Sequence, residues 1–116
     1  MGALHPEVVW NEAENFIYAD RNPYIGPQAI LEGIFARIAA EWDGFSATPE
    51  QIIGQDNTVI TIGRYGGKYK PTGLAVNAQF VHVFVYKDGK VASFQQYTDT
   101  AQFRDITGRG QAASAK

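Results

Sequence analysis

The 116-residue chain contains no cysteine. Disulfides, thiolate metal sites and a cysteine nucleophile are therefore excluded, and a reducing, cytoplasmic setting fits. Histidine is nearly absent too: His5 and His82 are the only two, too few for a histidine-rich metal site. No metal and no other cofactor is expected. No apolar run reaches the roughly 18 residues that a membrane helix needs, and no basic-then-apolar leader opens the chain. A membrane partner and classical secretion are not expected. The formal net charge is only −2, which gives no electrostatic reason to expect a nucleic acid partner. Internal repeats are lacking. One domain over residues 1–107 is expected, followed by a tail at 108–116, GRGQAASAK, with no apolar residue larger than alanine, which reads as disordered.

What the chain does have is aromatic residues, at 13% against 19% charged, enough for a packed core. Its most informative stretch is KYKPTGLAVNAQFVHVFVYKDGKVASFQQYTDT, two apolar runs around Asp88-Gly89. Asp-Gly in that setting marks a hairpin, because both residues tolerate the positive φ of a two-residue turn. Counting back by twos puts Tyr86, Phe84, His82, Phe80 and Ala78 on one face, and Val85, Val83, Val81, Gln79 and Asn77 on the other. Both faces are largely apolar, so the sheet should carry a helix on one side and a partner, a second copy of the chain, on the other.

Upstream, residues 7–11 read as a short strand and 12–26 as a long loop of the kind that forms lids or site walls. Gly26-Pro27 opens a helix, and Ile30, Leu31, Ile34, Phe35, Ile38 and Trp42 give it an apolar stripe through residue 42. Strands follow at 45–53, 58–68, 74–87 and 90–100, with breaks at Asp43-Gly44, Gln55-Asp56-Asn57, Pro71-Thr72-Gly73 and Asp88-Gly89. Short connections imply antiparallel pairing, so the fold class is α+β: a curved antiparallel sheet with a helix on its concave face. Gly66-Gly67 reads as the bulge that lets the sheet curl.

HPEVVWNEAENF, the Gly-Pro helix start, EWDGF, the strand ending near PTG and FVHVFVYKDGKVASFQQYTDT together resemble the SnoaL-like polyketide cyclase and ketosteroid-isomerase-related proteins of the nuclear transport factor 2-like superfamily. The resemblance runs from about Leu4 to Phe103. It implies a cone-shaped α+β barrel with an apolar pocket between sheet and helices, dimeric through the convex sheet face. Members normally carry a long and a short helix ahead of the HPEVVW segment; these N-terminal helices are expected to be missing here, which implies exposed pocket surface.

The resemblance also places residues. His82 takes the position of the acid that faces the enolate in ketosteroid isomerases, and Gln96 that of the acid near the end of the last strand in limonene epoxide hydrolase-like members. That family's second carboxylate falls near Tyr65, its arginine near Gly63, and the isomerase base at Asn11 beside Glu12. No known catalytic set is intact. His82 can donate and accept a proton near neutrality, and Glu12 beside Trp10 would have its pKa raised by desolvation. These two are the candidate catalytic residues. Trp10, Asn11, Tyr65, Phe80, Phe84, Phe94 and Gln96 are the candidate ligand-binding residues, Glu14 is a solvated loop acid, and Asp99 points outward or caps the strand end. Two functions follow: an enzyme performing cofactor-free isomerisation, cyclisation or hydration on a small apolar molecule, or a non-catalytic small-molecule-binding or dimeric interaction module.

Overall fold

The computed structural model describes residues 2–108. The tail expected to be disordered lies, past Gly108, outside the described residues. Six strands form one sheet in the order β2-β1-β6-β5-β4-β3. They are β1 (Leu4–Asn11), β2 (Tyr24–Ile25), β3 (Trp42–Gln55), β4 (Thr58–Tyr69), β5 (Ala75–Lys87) and β6 (Lys90–Thr98). The hairpin sits where the sequence puts it: Lys87 pairs with Lys90, and Asp88 and Gly89 have φ of 55° and 76°.

Several expectations need correction. The sheet is mixed, since β1 runs parallel to β6; the two are separated by most of the chain, so the short-connection rule does not govern their pairing. The helix, α1, covers residues 27–41 with a π turn at Leu31–Phe35, and β3 begins at Trp42 without the expected break. Of its apolar stripe Ile30 and Ile34 are buried, whereas Leu31 and Phe35 are exposed. The bulge belongs to β3: Asp43 pairs with Lys68 and Ser46 with Gly66, so Gly44 and Phe45 oppose Gly67 alone. Gly67 has φ 137°, and a Cβ on it would lie 2.9 Å from Phe45 Cα, so the glycine permits the bulge rather than making it. Finally, the last strand stops at Thr98. Asp99 accepts a bond from the Gln102 N–H (3.3 Å) and caps a second helix, α2 (Thr100–Thr107), which buries Phe103 and Ile106.

The segment 12–26 is not an open loop. Phe16, Ile17 and Tyr18 are buried, a 3₁₀ turn spans Ala19–Arg21, and the Tyr24 hydroxyl donates to the Tyr18 carbonyl (2.5 Å). Two buried clusters result: one around Phe16, Trp42, Tyr65, Phe80 and Phe103, the other around Val8, Trp10, Ile30, Ile34 and Phe94. Between them, on the concave side under α1, the sheet leaves a cavity.

Candidate functional site

Cross-strand register decides which side chains see the cavity. Thr61, His82 and Gln96 are directly opposite one another across β4, β5 and β6, and so share one face. Val59, Phe84 and Phe94 form the next row and Gly63 with Phe80 the row on the other side. Asn11 pairs with Gln95 in β6, one residue off the Gln96 row, which turns it to the convex side.

The cavity has a volume of about 550 Å³, within the range of small-molecule sites. Aromatic rings form most of its wall: Trp10 and Phe94, stacked at 3.8 Å, Phe16, Phe35, Trp42 and Phe45. Ile34 and Ile38 of α1 complete the apolar part. Phe35 is 39% exposed although it lines the wall, so the cavity meets solvent beside α1. Four polar residues point into this space: Glu12, Tyr65, His82 and Gln96.

Three of them form a chain. The Ala13 N–H donates to Gln96 Oε1 (2.9 Å), which orients the amide, because a backbone N–H can only donate. Gln96 Nε2 therefore faces Tyr65 and donates to its hydroxyl (2.8 Å). The phenol oxygen lies 2.5 Å from His82 Nε2. In the Nδ1–H tautomer of His82 the phenol proton goes to Nε2; in the Nε2–H tautomer the imidazole donates to the phenol oxygen. Phe80 stacks on the His82 ring at 4.1 Å, and Phe94 meets it edge-on at 4.9 Å. Burial pushes the His82 pKa down to about 4 and raises that of Tyr65, with Gln96 lowering and Glu12 adding to the latter shift; both groups are uncharged at neutral pH.

Glu12 is the fourth. It is 4% exposed, and its Oε2 accepts from the Trp10 indole N–H (3.0 Å). Burial pushes its pKa up from 4.5 to about 7, against the Trp10 bond and the positive charge of Arg37. A carboxyl there is poised to take or give a proton at neutral pH.

The structure thus gathers Trp10, Glu12, Tyr65, His82, Phe94 and Gln96 around one space. It leaves out Asn11, which faces the convex side, and Phe80 and Phe84, which flank His82 on β5 and pack against neighbouring rings rather than line the cavity. Glu14 is exposed. Sequence reasoning missed Phe16 and Phe45, which lay in an expected loop and at a bulge, and treated Trp42 as core alone although it also lines the cavity. Among the described residues no group of three or more His, Asp or Glu side chains is placed to hold a metal ion, and no helix is long and apolar enough to cross a membrane.

The sequence pattern of the SnoaL-like domain matches residues 1–94. No curated protein matches the chain. Among solved structures, an NTF2-like protein of Burkholderia thailandensis superposes with a TM-score of 0.87 at 31% identity, over 92% of this chain and 81% of that one. TerC, co-crystallised with polyporic acid, gives 0.78 at 24% identity over 92% and 82%. A Jannaschia protein bearing the name SnoaL-like polyketide cyclase gives 0.75 at 17% identity over 93% and 76%.

The two titrating groups of the cavity act on stability in opposite directions. Glu12 binds its proton more tightly folded (about 7) than at its ordinary 4.5, so its contribution is complete below pH 4.5 and is lost as pH rises through about 7. His82 is depressed from 6.5 to about 4, so its neutral form contributes fully above pH 6.5 and is lost as pH falls through about 4. Relative to the parent, Glu12→Gln should gain about 3 kcal/mol of unfolding free energy between pH 4.5 and 7. His82→Phe should gain stability over the parent as pH falls from 6.5 to 4. Urea unfolding across this range checks both; difference profiles flat with pH would contradict the burial of these groups.

Proposed function

The chain belongs to the family of SnoaL-like domains, and we propose that within it the protein binds a small, largely apolar molecule with one oxygen-bearing end and catalyses cofactor-free proton transfer on it. One observation carries this reading: a buried carboxyl with a pKa of about 7 shares an aromatic-walled cavity with a neutral hydrogen-bonded chain. Glu12 is the proton carrier. An enolisable ligand held between Trp10 and Phe94 would give its proton to the Glu12 carboxylate, and the oxygen of the ligand would take up the negative charge. The Tyr65 hydroxyl is the donor for that oxygen, with His82 bonded to it in the empty site and Gln96 fixing its position. The proton then returns from Glu12 to another carbon of the ligand, which is an isomerisation; where the enolate carbon instead bonds to a carbonyl carbon of the same ligand, the π bond of that carbonyl breaks and its oxygen takes the proton from Glu12, which is a cyclisation. TerC, whose fold is similar and which was co-crystallised with polyporic acid, is consistent with a ligand of this kind.

The convex face supports a second, compatible proposal. Ile60, Val83 and Gln95 form one row there, Ile62, Val81 and Tyr97 the next, and Tyr97 is 56% exposed. We read this face as the seat of a second copy, giving a homodimer in a cytoplasmic setting, with no nucleic acid or membrane involved.

A thermal-shift screen of steroids, aromatic polyketides, terpenoid epoxides and phenols tests the first proposal. A true ligand at a hundred times its Kd adds about 2.7 kcal/mol, several degrees for a domain this size. Binding should survive in Glu12→Gln while turnover falls at least about 100-fold; equal turnover in parent and variant would refute the assigned role. For the dimer, sedimentation should give twice the chain mass, and Val83→Lys should halve it without loss of ligand binding. A parent that sediments as a monomer at micromolar concentration would refute that arrangement.

A further inference from the structure

We propose that Asn22 is the positioning residue of this site: its side-chain amide takes the place of an absent strand neighbour and fixes the direction in which the Glu12 carboxyl points. The inference rests on the reading of Glu12 as the proton carrier.

Glu12 lies one residue beyond the end of β1. Pairing with β2 covers only Val9 and Trp10, and pairing with β6 ends at Asn11. Without a neighbour, the backbone at residue 12 would be free to turn, and the carboxyl with it. Asn22 supplies both missing partners. Its Oδ1 accepts from the Glu12 N–H (3.0 Å) and its Nδ2 donates to the Glu12 carbonyl (2.8 Å), the same donor and acceptor pair that a facing strand residue would offer. The next residue is held from the opposite side, by Gln96. Two side-chain amides thus grip the 12–13 backbone, one from outside the cavity and one from within it. Asn22 is itself anchored, since its N–H donates to the Ala19 carbonyl (3.1 Å) and closes the 3₁₀ turn.

Asparagine alone among short side chains carries both a donor and an acceptor in one plane at this reach. An aspartate in its place would lack the donor, and an alanine both. The proton transfer assigned to Glu12 depends on this grip, because the carboxyl has to stay buried beside Trp10 for its proton affinity to suit neutral pH. Around that carboxyl stand Trp10 on β1, Tyr24 on β2, Tyr65 on β4, His82 on β5, Gln96 on β6 and the charge of Arg37 on α1. None of them is bonded to the Asn22 side chain in the contacts described, so a change at residue 22 reaches Glu12 through its backbone.

Nuclear magnetic resonance on the whole chain tests this, with labelled glutamate carboxyls and tryptophan indoles. The Trp10 indole reports its bond to Glu12, while the Trp42 indole, which donates to the Tyr18 hydroxyl (3.0 Å), reports the fold elsewhere. In Asn22→Ala the Trp10 indole proton should move upfield, the Trp42 indole should stay, and the Glu12 midpoint should fall by about one pH unit or more as water reaches the carboxyl. Unchanged Trp10 and Glu12 signals in the folded variant would overturn the proposal. Should Asn22→Ala not fold, Asn22→Asp carries the test: it keeps the acceptor, loses the donor, and should move the Trp10 indole the same way; an unmoved indole there overturns the proposal equally. A parent Glu12 that titrates in the ordinary carboxylate range would defeat the proton-carrier reading by itself, and the Trp10 comparison would still decide the role of Asn22.

Discussion

The bond from the Ala13 N–H to Gln96 Oε1 ties the polar face of the cavity to the segment that follows β1. A polar group buried among aromatic rings costs several kcal/mol unless it is paired, so each member of this face must find its partner inside it. Gln96 can do so in one orientation only. Its oxygen is taken by the backbone, its nitrogen must reach Tyr65, and Tyr65 must then reach His82. The same bond sets where the chain passes after Ala13, and with it the side of the wall on which Glu12 lies. Register in the sheet, the path of the 12–26 segment and the polar face are therefore one constraint seen from three sides.

Glu12 departs from that pattern in a useful way. Where the other polar groups are neutral and paired, it is a buried acid held by an indole bond, and its charged form is disfavoured. An apolar wall that would serve equally well for packing thereby gains a group that changes charge near neutral pH. Fold likeness gives the cavity; the chemistry rests on where this one carboxyl sits.

Much of the fold was legible because the sequence alternates cleanly. The β5–β6 hairpin, the side on which His82, Phe80 and Phe84 lie, and the start of α1 all followed from period, Asp88-Gly89 and Gly26-Pro27. The parallel β1–β6 pairing was not, since it joins segments remote in sequence and no turn announces it. Helix α2 was missed although Asp99 and Gly108 bracket it, because the strand-favouring residues Tyr97, Thr98 and Thr100 extend the strand reading to residue 100. At the site, Gln96 came from the family resemblance, and Glu12 from its place beside Trp10 and next to the position that the resemblance gives the isomerase base. Asn11 was misplaced by one step of register, which in a strand is a change of face. The grip of Asn22 on Glu12 spans ten residues across an irregular segment, and no periodic signal reports such a bond.

A crystal structure of the protein with a bound ligand from the screen tests the central claim most directly. The account predicts the ligand within the cavity between Trp10 and Phe94, with its oxygen about 3 Å from the Tyr65 hydroxyl and a carbon-bound proton turned to the Glu12 carboxyl. A ligand seated with its oxygen away from Tyr65 and Glu12, or bound outside the cavity altogether, would contradict it.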